Sequence, residues 1–414
     1  VLKGKDIATS NTRSKERRIY VMGNMKGKYC IVGIGEATPP KGTYYGSYWG
    51  QAAEAAKKAL DDAGLTKKDI DGVVFYTAYG PPFPSPSSTC ATFCEYMGIG
   101  PAWFENYPYG GMPSGMTGIN RAPMGMEAGF ATTVLVVASD NYRSRLTHGG
   151  GIETMALRAT DSQYEGPYGP YPMVLMALVA QRHMHAYGTT SEQMAEVAVA
   201  SRQWASMNPI AIERDPITIE DVLNSKMIAS PLHRLDCCQL TDGGTALVVT
   251  TADRAKDCKK PPVYLLGFGE VGVGRYTSYV PNLADVYQAE MASKKALQMA
   301  GVTNDDIDIA FTYDAATLST IMFLEQMGFC KKGEGGRFVE GGRIAPGGAL
   351  PFNTHGGLLS CRHTTHCGAS FHLTEAVKQL RGKCGERQVK DAKLAMLLAE
   401  GGWFNIGVTV LGRG

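Results

Sequence analysis

Apolar positions in this chain fall into short continuous runs, separated by Ala-rich stretches with helical spacing. The run Tyr29-Cys30-Ile31-Val32-Gly33-Ile34-Gly35-Glu36 reads as a strand entering a Gly-x-Gly-Glu turn. Val263-Tyr264-Leu265-Leu266-Gly267-Phe268-Gly269-Glu270 repeats the pattern. Downstream, Lys57-Lys58-Ala59-Leu60-Asp61-Asp62-Ala63-Gly64-Leu65-Thr66 matches Lys294-Lys295-Ala296-Leu297-Gln298-Met299-Ala300-Gly301-Val302-Thr303. Both copies continue through Asp-Ile-Asp, at 69–71 and 306–308, into an apolar strand that ends at Tyr76 or Tyr313. Each copy therefore predicts strand, helix, Gly-capped stop, strand, with Gly64 and Gly301 as left-handed C-caps.

Val73-Val74-Phe75, Thr133-Val134-Leu135-Val136-Val137 and Ala246-Leu247-Val248-Val249 are apolar without alternation. Such runs belong to strands covered on both faces. Strands alternating with helices predict an α/β architecture, and two copies predict two similar halves, residues 26–255 and 256–414. The segment 145–235 has no counterpart in the second half and reads as a helical insertion. Helical spacing shows in Pro172–Ala180 and Ser191–Val197, with Ser191 expected as an N-cap.

Composition narrows the function classes. The 414 residues carry a net charge of +2, with 44% apolar and 19% charged residues. No basic stripe is present, which argues against nucleic acid as partner. Polar residues interrupt every apolar segment before membrane-spanning length. Ten cysteines show neither a disulfide framework nor zinc-ligand spacing, so reduced thiols in the cytoplasm and no resident metal are expected. His183 and His185 lie two apart on a predicted helix and do not share a face. Residues 1–25 are polar and basic, lack the apolar stretch of a secretory signal, and are expected to form a flexible extension.

The densest chemistry lies at Asn353-Thr354-His355-Gly356-Gly357-Leu358-Leu359-Ser360-Cys361-Arg362-His363. Glycines allow close backbone approach, and imidazoles move protons or polarise carbonyls near neutral pH. With the helix Leu373–Gly382 that follows, this run resembles the C-terminal active-site segment of the thiolase superfamily, in its lipid-transfer-protein-like branch. The resemblance implies the thiolase fold: two βαβαβαββ halves in five αβαβα layers.

Against that pattern the chain departs at both sulfur positions. The segment Gly110-Gly111-Met112-Pro113-Ser114-Gly115-Met116 places Met112 where the nucleophilic cysteine of thiolases stands. A thioether forms no acyl-enzyme. Ala399-Glu400-Gly401-Gly402 places Ala399 where the second cysteine stands. The Asn-Glu-Ala-Phe motif is replaced by Tyr313-Asp314-Ala315-Ala316, and His363 falls at the Gly-His-Pro histidine. This combination resembles the steroid side-chain aldolases of the branch. It implies retro-aldol cleavage of a β-hydroxyacyl-CoA, with Tyr313 as base or proton relay, His363 and His355 as enolate donors, and Asp314 as an orienting carboxylate or helix cap. A phenol with its ordinary pKa near ~10 needs an imidazole or cationic neighbour for that task. A purely structural Tyr313 stays open, since Tyr76 holds the equivalent place in the first copy.

Met112, Ser114, Gly115, Tyr168, Gly356, Gly357, Gly401 and Gly402 are expected to line the substrate site. The resemblance also implies a homodimeric core, a DUF35-type zinc-ribbon/OB-fold partner in a heterotetramer, zinc only in that partner, and a coenzyme A thioester as substrate with no covalent cofactor. Two alternatives remain at this point. One is a thiolase or acyltransferase acting through Cys361, Cys367 or Cys90. The other is a non-catalytic acyl-CoA or lipid-binding scaffold.

Overall fold

The repeated Gly-x-Gly motif is where a helix lies directly on a strand. A Cβ on Gly33 would sit 2.2 Å from the Ala59 carbonyl oxygen, and one on Gly35 would sit 2.1 Å from that of Ala55. In the second copy, Gly267 and Gly269 meet the carbonyls of Ala296 and Ala292 at 2.2 Å in the same way. Any larger residue would lift the helix off the sheet. The helices then stop as their sequences predict, at Gly64 (φ 74°) and Gly301 (φ 65°). After each stop a Thr and an Asp close a capping box: Thr66 N–H donates to Asp69 Oδ2 at 2.9 Å, and Thr303 N–H to Asp306 Oδ2 at 2.8 Å.

The computed structural model describes residues 25–43, 46–76, 90–107, 116–149, 160–161, 163–272, 277–285, 288–400 and 405–414. The N-terminal extension lies outside them. The strands are β1 (Tyr29–Ala37), β2 (Gly72–Tyr76), β3 (Trp103–Tyr107), β4 (Thr133–Asn141), β5 (Met227–Ala229), β6 (Leu232–His233), β7 (Asp242–Thr251), β8 (Val263–Gly272), β9 (Ile309–Thr312), β10 (Leu394–Glu400) and β11 (Asn405–Arg413). In the first part of the chain the helices are α1 (Tyr48–Ala63), α2 (Cys90–Met97), α3 (Arg121–Glu127), α4 (Tyr142–Gly149), α5 (Pro172–Tyr187), α6 (Ser191–Ser206) and α7 (Ile219–Asn224). They continue with α8 (Gln288–Ala300), α9 (Thr317–Met327), α10 (Gly335–Val339) and α11 (Ser370–Leu380).

Among the described residues nine strands run in the order β3-β2-β4-β7-β1-β8-β11-β10-β9. The two halves meet at an antiparallel join of two residue pairs, Cys30 with Tyr264 and Ile31 with Val263. Helix α11 packs on β1 and β7 from one half and on β9, β10 and β11 from the other. The turn Thr117–Asn120 likewise touches β2 on one side and β11 on the other. These central helical segments lie between the half-sheets, while α1 and α8 cover the outer faces, which gives five layers. Because α11 is buried on nearly every side, its charged Glu375 and Lys378 are paired internally. Arg387 donates two bonds to the Glu375 carboxylate, at 2.9 and 3.0 Å, and Lys378 reaches Glu36 at 2.6 Å.

Between β4 and β7 the chain runs through α4 to α7 and the β5–β6 hairpin, whereas in the second half β10 and β11 are separated by residues 401–404 alone. The N-cap of α6 is Thr190 rather than Ser191: its Oγ1 accepts from Gln193 N–H, and Gln193 Oε1 accepts from Thr190 N–H. The reciprocal Thr-x-x-Gln box outcompetes a serine that has no partner at its third position.

Candidate active site

Strand β9 is parallel to β10, and Tyr313 is the first residue past its end. The Tyr313 backbone N–H still bonds to Leu398 O at 3.1 Å, so the side chain leaves a fixed strand rather than a loose loop. Its hydroxyl lies 2.8 Å from His363 Nε2, and both residues are buried. The other imidazole nitrogen, Nδ1, lies 3.1 Å from the Gln239 carbonyl oxygen. A carbonyl only accepts, so Nδ1 carries a proton, and in the neutral imidazole Nε2 accepts from the phenol. The backbone of His363 is gripped as well: its N–H donates to Thr241 Oγ1 at 3.1 Å, and its carbonyl accepts from Thr241 N–H at 2.9 Å.

Burial pushes the Tyr313 phenol well above its ordinary value, helped by nearby Cys238, Glu400, Tyr76 and Tyr142. Tyr313 is therefore a neutral donor at physiological pH. Tyr142 meets the His363 ring edge-on with centroids 6.3 Å apart. The sequence reading missed Gln239 and Tyr142 as groups that hold the imidazole. Gln239 acts through its backbone carbonyl, which leaves no compositional signal.

Asp314 points away from this pair. Its carboxylate accepts from the N–H groups of Leu358 at 2.9 Å and Leu359 at 3.4 Å. It thereby pins the first turn of a π-helical segment, Gly357–Cys361. Gly357 (φ 60°) is obligatory there, since a Cβ would fall 1.9 Å from Asp314 Oδ2. Asn353 extends β9 by one false strand: its Oδ1 accepts from Thr312 N–H at 3.0 Å and its Nδ2 donates to Thr312 O at 3.1 Å. His355 is fully enclosed, against the rings of Phe311 and His372. Neither of its ring nitrogens has a hydrogen-bond partner among the described residues. Burial, with His372, Arg387 and Lys378 nearby, keeps it well below the ordinary histidine value and so neutral. The structure thus brings Tyr313 and His363 together and gives Asp314 and His355 different surroundings.

The helical insertion clasps the loop that carries His363. From α6, Ser201 donates to Gly356 O at 2.6 Å and Arg202 Nε to Ser360 Oγ at 3.1 Å. Asn208 Nδ2 donates to His355 O at 2.8 Å. Ile212 and Glu213 N–H groups then bond to Cys361 O and Ser360 O. Gly356 (φ 102°) lies against Ala205, where a Cβ would come within 2.5 Å of the alanine's own. Tyr168 is 87% exposed on a short turn. Met112, Ser114, Gly115, Gly401 and Gly402 lie outside the described residues. Among the described residues no cluster of three His, Cys, Asp or Glu is arranged to hold a metal ion, and no helix is long and apolar enough to cross a membrane.

Residues 269–413 match the model of a Thiolase C-terminal domain-like family. A 17-hydroxy-3-oxo-4-pregnene-20-carboxyl-CoA lyase of Mycobacterium tuberculosis is 36% identical over 86% of this chain and 92% of its own. The chain belongs to the thiolase superfamily, in its lipid-transfer-protein-like aldolase branch. A second member of that branch, a steroid side-chain-cleaving aldolase of Thermomonospora curvata, is 35% identical over 87% of this chain and 92% of its own. The solved structure of an Ltp2-ChsH2(DUF35) aldolase superposes with a TM-score of 0.83 at 32% identity, covering 94% of this chain and 98% of that one. In this thiolase-superfamily fold the Tyr313–His363 pair stands at the carboxyl end of a parallel strand, where open α/β sheets place their ligands.

Proposed function

We propose that this chain is a carbon–carbon lyase that cleaves a β-hydroxyacyl-CoA by retro-aldol reaction, releasing acetyl-CoA or propionyl-CoA and a ketone or aldehyde. The observation that carries the reading is the 2.8 Å contact between the Tyr313 hydroxyl and Nε2 of His363. The substrate's β-hydroxyl gives its proton to the Tyr313 oxygen as the phenol passes its own to His363. The Cα–Cβ bond breaks, the β-carbon becomes a carbonyl, and the electron pair moves into the thioester as an enolate. The imidazolium formed on His363 is stabilised by the Gln239 carbonyl and lies close to the developing negative charge. Reversal of the relay protonates the enolate at Cα, so no net proton is consumed. Such a relay uses a phenol that stays neutral, which is what burial produces at Tyr313. His355, neutral and enclosed, has no role in this scheme, which leaves the enolate to His363.

A Claisen reaction needs a thiolate, and the thiols near this region are poorly suited to supply one. Burial pushes Cys361 up to about 12 and raises Cys238 well above the ordinary range. The relatives' names supply further support, one being a CoA lyase and one a side-chain-cleaving aldolase. The Ltp2-ChsH2(DUF35) aldolase supports a DUF35-type partner for this chain; a homodimeric core, a heterotetramer and zinc confined to that partner are part of the proposal.

The test is turnover of β-hydroxyacyl-CoA substrates by the chain co-purified with that partner. Tyr313→Phe removes the relay and is expected to lower kcat by about 10²–10⁴-fold. Full turnover by that variant would remove Tyr313 from the mechanism. Tight binding of the thioester with no cleavage by the wild-type assembly would favour the scaffold reading instead.

A further inference from the structure

We propose that Thr365 is a positioning residue for His363: its hydroxyl, bonded to Asp140, holds a strained turn that packs backbone against the imidazole and keeps Nε2 on the Tyr313 hydroxyl. The consequence for catalysis rests on the function proposed above.

Two residues past His363 the chain must turn before α11 begins. Thr365 makes that turn at φ 53° and is buried. The left-handed region crowds a Cβ, and a β-branched residue there is an outlier. Such strain persists only where the surroundings impose it. The restraint is a short hydrogen bond. Thr365 Oγ1 donates to Asp140 Oδ2 at 2.6 Å, and the Thr364 carbonyl oxygen lies at 2.6 Å as a second acceptor. A bond to a carboxylate is of the same order as the strain of one left-handed residue, so the hydroxyl suffices to hold the turn and its loss releases it.

Asp140 is a fixed anchor. It stands near the end of β4, opposite Gly243 of β7. The amide nitrogen of Gln51, buried on α1, lies 3.0 Å from the Asp140 carbonyl oxygen and 2.8 Å from that of Gly243. The far side of the turn is tied to the same strand, with Cys367 Sγ 3.4 Å from Ser139 O. The carboxylate that holds Thr365 therefore belongs to the sheet rather than to a loop.

The purpose of the turn shows at Gly368. A Cβ there would fall 3.0 Å from His363 Cδ2 and 3.1 Å from His363 Cα, so the Gly368 backbone lies directly against the imidazole. Cδ2 is the ring carbon bonded to Nε2, the atom that meets Tyr313. Thr241 fixes the His363 backbone and the Gln239 carbonyl holds Nδ1, while Gly368 closes the Cδ2 edge. Thr365 opens the short 3-10 helix Thr365–Ala369, so its φ decides where Gly368 goes.

The experiment pairs kinetics of the partner-bound protein on β-hydroxyacyl-CoA with crystal structures of the same variants. Thr365→Ser keeps the hydroxyl and is expected to keep the wild-type kcat. Thr365→Val keeps the shape but loses the bond. It is expected to lower kcat by about 10–100-fold, with a smaller change in KM, and to widen the Tyr313–His363 contact beyond 2.8 Å. Thr365→Gly reaches φ 53° without strain, so its kcat is expected to exceed that of Thr365→Val although it too lacks the hydroxyl. Thermal melts establish that each variant is folded. A residue that serves stability alone would shift the melt and leave kcat at the wild-type value. Wild-type kcat with an unchanged contact in folded Thr365→Val overturns the proposal, as does a Thr365→Gly no better than Thr365→Val. If Thr365→Val does not fold, equal kcat and equal contacts in Thr365→Gly and Thr365→Ser overturn it. If the wild-type assembly cleaves no β-hydroxyacyl-CoA, the lyase reading falls and the crystal structures judge Thr365: a contact kept in Thr365→Ser and widened in Thr365→Val supports the positioning role, and a contact kept in both refutes it.

Discussion

Tyr313 and Tyr76 end equivalent strands of the two repeats, yet their surroundings differ, and sequence alone did not separate them. Tyr313 meets an imidazole at 2.8 Å because the Gly357–Cys361 turn delivers His363 to it. Tyr76 offers its backbone carbonyl to the Cys367 thiol at 3.9 Å. The identity of the pair was legible from two motifs, but its tautomer was not, because Gln239 contributes only a carbonyl. Asp314 and His355 stood in the same motifs but have other surroundings: the carboxylate accepts from the Leu358 and Leu359 N–H groups, and the imidazole lies against Phe311 and His372. Two predictions belong at this scale. Gly357→Ala drives a methyl into the Asp314 carboxylate and should lower stability by about 1–3 kcal/mol or more, read from urea midpoints. His355 is held below its unfolded value, so protons bind the unfolded chain preferentially, and stability should fall as pH drops below about 6.5. The slope reaches up to ~1.4 kcal/mol per pH unit for one such group. His355→Gln should flatten that part of the pH profile, and an unchanged slope would show that His355 takes no part in it.

At the scale of elements, the repeat was readable because its glycines have one physical cause. Gly33 and Gly35 beneath α1, and Gly267 and Gly269 beneath α8, admit helix backbone against strand backbone. Gly35→Ala and Gly269→Ala should each depress Tm by several degrees, since the obstructing atoms are main-chain carbonyls that cannot rotate aside. Equal Tm values for wild type and variants would refute the close-packing argument. The insertion was visible as helical spacing at 172–180 and 191–197, but its purpose was not. Its clasp on the catalytic loop uses Ser201, Arg202 and Asn208 against backbone carbonyls and one serine hydroxyl. Such contacts join residues about 150 positions apart and have no local signature. The misplaced cap of α6 has the same origin in miniature, since Thr190 was chosen over Ser191 by the glutamine three positions on.

On the scale of the whole molecule, the doubled βα pattern predicted the two-half architecture, and the central helix α11 explains how it closes. A helix buried on both faces must satisfy its charges internally, and the Glu375–Arg387 and Glu36–Lys378 pairs do so. The absence of cysteine at Met112 and Ala399 was the most informative feature of the sequence for function, because it removes the covalent route while leaving the fold intact. The central claim is that carbon–carbon cleavage proceeds by proton relay through Tyr313 and His363 with no acyl group held on the protein. Rapid quenching of the partner-bound enzyme during turnover of a β-hydroxyacyl-CoA, followed by intact-protein mass spectrometry, tests this most directly. The account predicts a chain of unmodified mass throughout product formation. An acyl adduct on any of the ten cysteines that forms and decays at the rate of product release would contradict it.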